Sequence, residues 1–414
     1  MELENRVNRR EVLAMGGQLA IGLAVADFLG GCAQGSPPVE GAGPRVGGSE
    51  LSRPRPILHV DFEGTGDQQH PVVAAVDIDG HRLDTYGAWE ASWAPDGSGF
   101  AFAAQGGTSS RIYTANPDSR QIKTLFTPGK AERLVWKVAW SPDSRRIAAI
   151  VNNAGDPSVN TGADIHYTLV IVDATSGREL ARHALPDGTL LDVPLSPPNK
   201  FRWSPDARRV LISWENAIAV HATGGAIERI SASNVVADWS PDSKGVYYLE
   251  IAHCCDPGSR ALGGFYFKPL AQSRVELTSP QRVTQLGYAM GPFARGISEL
   301  SPSGSRLLFY DAVQGGAKGQ LAVYELGGSA QLDLASPSRI YKTPELIADV
   351  QWSPDEKLLA ALTAAADNMT TLHLRTLTLE TEAWKDLATV NLGSASTMDV
   401  IDFLGFHKNL SWTE

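Results

Sequence analysis

The densest run of reactive side chains is His253-Cys254-Cys255-Asp256, with Arg260 just beyond it. Thiolates beside an imidazole can ligate a metal, and adjacent thiols can oxidise to a disulfide. Neighbouring Cα atoms lie about 3.8 Å apart. That is below the usual disulfide span, so a Cys254–Cys255 bridge would be strained. No second Cys/His pair at ligand spacing lies nearby, which weakens the metal reading. Three readings stand: a vicinal disulfide, a metal site, or inert side chains in a loop. A second polar group, Asn152, Asn153 and Asp156, offers donors and acceptors for a ligand or for solvent.

Signatures of catalysis are missing. The chain has no G-x-S-x-G nucleophile elbow, no H-E-x-x-H pair and no Walker-type loop. Its nine histidines are scattered, and His59, His166, His221 and His373 sit among apolar strand residues. No catalytic residue, metal ligand or cofactor is therefore assigned. The net charge of −10 gives no basic footprint for nucleic acid.

What would position these groups is a repeated phrase. Trp93-Ala94-Pro95-Asp96-Gly97 returns as Trp-Ser-Pro-Asp from Trp140, Trp203, Trp239 and Trp352, and as Leu300-Ser301-Pro302-Ser303-Gly304. The steps are 47, 63, 36, 61 and 52 residues, the spacing of a short repeated unit. Proline sets the first corner of a tight turn, and Asp, Ser or Gly suits the next. Apolar runs follow, such as Ile147–Val151, Val210–Trp214 and Val246–Leu249. The shortest unit reads as four strands: Phe201–Trp203, Val210–Trp214, Ala217–His221 and Ala226–Ile230. Four antiparallel strands repeated around an axis make a β-propeller.

The phrase resembles the repeat of TolB-type (WD-like) propellers, over roughly residues 57–414. That resemblance implies an all-β propeller acting through protein–protein contacts. Asp402-Phe403 aligns with Asp238-Trp239 and reads as a decayed seventh copy near the C-terminus. Strand-like runs over Ile57–Phe62 and Val72–Ile78 precede the first phrase. Together the two ends supply one unit, so seven blades are expected, closed by both termini; six blades with loose ends is the alternative.

The N-terminal region resembles an export signal. Arg9 and Arg10 lie in a twin-arginine-like motif, ahead of a Gly/Ala-rich apolar stretch. Leu29-Gly30-Gly31-Cys32 resembles a lipobox, which makes Cys32 the lipid-attachment residue. Residues 1–31 are thus expected to be a signal peptide, 32–56 a Gly/Pro/Ser-rich tether, and 57–414 one propeller domain.

Strand alternation places the Pro-Asp turns at one end of the ring. Loops such as Asn152–Asp164 and Ala252–Gly264 then fall at the other end, the expected binding face. It would carry Asn152, Asn153, Asp156, His253, Cys254, Cys255, Asp256 and Arg260. Residues just before the Trp-equivalent positions form a second set, Ser92, Ala139, Arg202, Asp238, Glu299, Gln351 and Asp402, of which the last five are the candidates. They would line the central channel, or bond blade to blade. The expectation is a monomeric scaffold exported to the outer face of a bacterial membrane and held there by lipid alone. Its partner would be an envelope protein or a small polar ligand. The rival is a metal-dependent hydrolase or lyase with an axial site.

Overall fold

A computed structural model of the chain describes residues 55–63, 70–105, 109–116, 121–153, 165–186, 200–213, 217–231, 235–250, 265–271, 273, 275–278, 298–312, 319–325, 337–365, 368–391 and 410–412. Its strands form seven four-stranded antiparallel sheets. Strands β1 to β3 are Ile57–Glu63, His70–Val76 and Arg82–Tyr86. Blade 1 holds β4 to β7 (Glu90–Trp93, Phe100–Gln105, Ser110–Asn116, Gln121–Phe126). Blade 2 holds β8 to β11 (Leu134–Trp140, Arg146–Asn152, Tyr167–Asp173, Glu179–Ala184). Blade 3 holds β12 to β15 (Lys200–Trp203, Arg209–Ser213, Ala217–His221, Ile227–Ser231). Blade 4 holds β16 to β19 (Val235–Trp239, Gly245–Glu250, Phe265–Pro269, Val275–Thr278). Blade 5 holds β20 to β23 (Ser298–Leu300, Arg306–Ala312, Gly319–Glu325, Arg339–Lys342). Blade 6 holds β24 to β27 (Leu346–Trp352, Leu358–Ala365, Asn368–Thr378, Ala383–Asn391). Blade 7 sets β28 (Leu410–Ser411) beside β1, β2 and β3.

The ring closes. Each first strand touches the next, from β4 through β8, β12, β16, β20 and β24 to β28, and β28 returns to β4. Seven blades joined by both chain ends is the expected architecture, and the six-blade alternative falls. The register corrects one detail. Ser411 pairs with Leu58, and Leu410 with His59. Trp412 therefore takes the place of the phrase aromatic, as Trp239 does opposite Val246. The alignment at Asp402-Phe403 stopped too early, because it matched side-chain types without knowing which residues meet β1. Asp402 itself lies outside the described residues.

Each phrase folds the same way. The first residue after the aromatic accepts a backbone bond three residues on: Ser144 to Ser141 at 2.9 Å, Ala207 to Ser204 at 2.8 Å, Gly304 to Ser301 at 2.8 Å. The fifth residue has positive φ throughout: Gly97, Ser144, Ala207, Ser243, Gly304 and Glu356, between 56° and 71°. Left-handed geometry is costly for a residue with a Cβ. Three of the four non-glycines use their side chains across the blade boundary. Ser144 Oγ accepts from Asp96 N at 3.1 Å, Ser243 Oγ from Asp206 N at 3.0 Å, and Glu356 Oε1 from Ser303 N at 2.5 Å. The degenerate copy at Leu300 keeps this geometry.

The aromatics wedge the blades apart and bind them. Trp239 and Trp352 are fully buried. Their indoles donate to the carbonyls of Arg202 and Glu299, both at 3.2 Å, and Trp203 donates to Ala139 at 3.0 Å. In each case the acceptor precedes the matching phrase residue of the previous blade, Trp140, Trp203 or Leu300. Arg146 lies over Trp203, and Arg306 over Trp352, about 5 Å from the ring centres.

Two outcomes follow. Ser243→Ala should destabilise by about 1 kcal/mol through its lost inter-blade bond. Ser243→Gly should be near neutral, because relief of left-handed strain offsets the same loss. Urea midpoints compare the two. Among the turn aspartates, partial burial opposes the charge of Asp143, Asp242 and Asp355. Their serine hydroxyl and backbone N–H partners outweigh it and hold each carboxyl below its ordinary value near 3.8. A depressed folded value gives stability that is present above that pH and lost below it. These aspartates should therefore lose their contribution to stability below about pH 4, and Asp355→Asn should flatten that part of the loss.

Candidate functional site

The inner strands bring together residues far apart in sequence. Arg202 on β12 donates to Asp238 Oδ2 on β16 and to Glu299 Oε2 on β20, both at 2.7 Å. One guanidinium thus spans three blades. Asp238 is almost wholly buried, while Arg202 keeps 27% of its side chain exposed. Burial works against the guanidinium charge, but the two carboxylates prevail and raise its pKa above the ordinary arginine value. Gln351, expected beside them, occupies the matching position on β24 and is half-buried. Ser411, not Asp402, holds that position in blade 7, and its Oγ accepts from Trp93 N at 3.1 Å.

A second layer lies three residues before the aromatics. Lys137 Nζ meets Glu90 Oε2 at 3.2 Å, with both side chains at most 3% exposed. Burial lowers the lysine pKa, against the pull of Glu90 and then Asp349. The inner-strand register shifts between Val135 and Lys137, and again between Ile347 and Asp349. Each bulge re-aims the charged residue that follows it. Sequence reading stopped at the residue before each aromatic. Alternation along the same strands points to Glu90, Lys137 and Asp349 as well.

A third cluster stands apart on blade 6. Glu345 Oε2 takes Thr363 Oγ1 at 2.8 Å, Arg375 at 2.9 Å and His373 Nδ1 at 3.0 Å. Partial burial opposes its charge, but His373, Thr363 and Arg375 hold Glu345 below the ordinary carboxylate value. His373 is thereby a positioned side chain rather than simple strand packing. No short motif announces this group, because its members sit on β25, on β26 and in the bend ahead of β24.

Of the expected binding face, Asn152 is buried at the end of β9, paired in register with Leu134 and Tyr167. Asn153 Oδ1 accepts from His166 N at 2.8 Å. Both stand at the long-connection end. Asp156, His253, Cys254, Cys255, Asp256 and Arg260 lie outside the described residues. Among the described residues, no three His, Cys, Asp or Glu side chains are grouped to hold a metal ion.

No family model matches the sequence, and no curated protein sequence matches it. Solved structures do. An acylaminoacyl peptidase from Pyrococcus horikoshii aligns with a TM-score of 0.51 at 11% identity, over 81% of this chain and 51% of that one. A functionally unknown protein from Desulfotomaculum acetoxidans aligns at 0.51 and 10% identity, over 83% and 96%. The likeness is one of fold. TolB from Acinetobacter baumannii aligns at 0.39 and 14% identity, over 80% and 79%. The chain spans about half of the peptidase, so the match concerns the propeller and not that enzyme's whole length.

In chemical terms the axis is a set of satisfied charges. Asp238 and Glu299 are both engaged by Arg202, so an incoming cation would have to displace a tethered one. Arg202→Met should leave both carboxylates without their cation and cost about 3 kcal/mol, since breaking a buried pair strands the remaining charge. Arg202→Lys, which keeps the charge but loses the planar fork, should cost less. Equal urea midpoints for wild type and Arg202→Met would show that the axis does not depend on the triad.

Proposed function

We propose that the chain is a binding scaffold of the bacterial envelope, tethered by lipid at Cys32 and engaging a protein partner through its long-connection face. One observation carries this reading. The Pro-Asp turns at one end are locked blade to blade by backbone, Ser–Asp and Arg–Trp contacts. The opposite end joins its strands by long connections, such as Asn152 to Tyr167, Glu250 to Phe265, Thr278 to Ser298 and Asn391 to Leu410. Connection length varies there without disturbing the ring, which is the condition for a variable binding surface on a rigid support. The connection between Glu325 and Arg339 is the long one at the turn end. Internal pairing of the axial carboxylates by Arg202 favours a structural axis over a metal-dependent one.

The tether rests on the order of arginine pair, apolar stretch and Cys32 in the sequence. Cys32→Ser should release the protein from membranes on fractionation; retention would refute the tether. Pull-down from native envelope should recover one partner with wild type, and lose it when residues 251–264 are replaced by a short Gly/Ser linker. Recovery undiminished by that replacement and by a matching one at 154–164 would remove the loop face from the reading.

A further inference from the structure

We infer that the turn end of the ring is the face laid against the lipid bilayer, its outer rim resting at the headgroup–acyl boundary while the long connections point away. This deepens the tether reading and rests on it. The first observation is where the chain enters. β1 is the second strand of blade 7, so it starts at the turn end. Arg55 and Pro56 are fixed there: Trp412 donates to the Arg55 carbonyl and Trp93 to that of Pro56, both at 3.1 Å. Residues 33–54 separate this point from Cys32. The tether from Cys32 therefore joins the ring at its turn end.

The second observation is the distribution of exposed apolar side chains. Among the described residues, the exposed large hydrophobics are Leu83, Ile122, Leu180, Ile227 and Ile340, between 37% and 48% exposed. All five lie on the outermost strand of their blades. Four sit at the turn end. Ile122 ends the rung Trp93–Phe100–Ala115, and Ile227 ends Trp203–Val210–Val220. Leu83 and Leu180 fall at bulges beside Arg82 and Glu179, which pair with Val76 and Val172. In blades 1 and 3 the apolar rung that packs the blade thus continues out to the rim.

Singly exposed aliphatics are ordinary on any protein. Among the described residues, four of the five share one end, the end where the chain enters, and that placement is what selects a lipid surface. Arg145, Arg208, Lys244 and Lys357 project from the neighbouring turns. Such long side chains can lay their stems on apolar surface and keep the charge among headgroups. Asp143, Asp206, Asp242 and Asp355 stand beside them, so apolar contact rather than net charge distinguishes this end.

The test uses full-length, membrane-resident protein carrying a photo-crosslinking phenylalanine analogue at Leu180, Ile227 or His166. His166 is exposed at the start of β10, at the opposite end. Irradiation should give lipid adducts at Leu180 and Ile227 and none at His166. Adducts absent from both rim positions, or equal at all three, overturn the inference. Fractionation of Cys32→Ser is scored separately. If it leaves the membrane while anchored protein gives no rim adducts, the tether stands and the docking fails. If it stays bound and rim adducts persist, the docking stands and the tether fails. Wild-type protein found wholly off the membrane overturns both.

Discussion

The fold depends on a bond between blades. An indole from one blade enters the dry seam against the previous blade and gives its N–H to the backbone carbonyl just before that blade's own first phrase residue. The ring is too large and the N–H too polar to be buried without both a cavity and an acceptor. Blades 2, 3 and 5 supply that acceptor to Trp203, Trp239 and Trp352. A single blade would leave its wedge exposed and its carbonyl unmet, so the units hold only as neighbours. Closure by β28 is made by its own bonds: Ser411 Oγ accepts from Trp93 N, while the indoles of Trp93 and Trp412 donate to the carbonyls of Pro56 and Arg55.

This arrangement divides the molecule into unlike ends. At the turn end, four of the six left-handed phrase positions carry Ser, Ala or Glu instead of glycine, and the side chains of Ser144, Ser243 and Glu356 reach the adjacent blade. Local strain is traded for contact between units. At the other end the connections differ in length from blade to blade. Along the axis, Arg202, Asp238 and Glu299 convert three separate inner strands into one ion-paired unit. The charges there are costly to bury singly and are retained as a group.

The Trp-Ser-Pro-Asp phrase was legible because its turn is local: five consecutive residues contain the proline, the capping serine and aspartate, and the positive-φ position. Strand runs such as Ile147–Val151 were legible for the same reason. The pairing of Arg202 with Asp238 and Glu299 was half legible, since each was flagged by its place before an aromatic but not by its partner. Glu345, Thr363, His373 and Arg375 were invisible, being scattered over β25, β26 and the bend ahead of β24 with no common spacing. The displaced match at Phe403 shows the limit of similarity by type: Leu410-Ser411-Trp412 was read as a second strand, and the β1 ladder makes it a first one.

By itself the sequence determined the repeat, the antiparallel blade and the expectation that both termini build one unit, because turn chemistry and period-two alternation act within a few residues. Tertiary structure alone decided the register of closure, the bulges ahead of Lys137 and Asp349, and the grouping of charges across blades. Those depend on which residues become neighbours once the ring is closed. Closure is a property of seven sheets together, and no single stretch of chain encodes it.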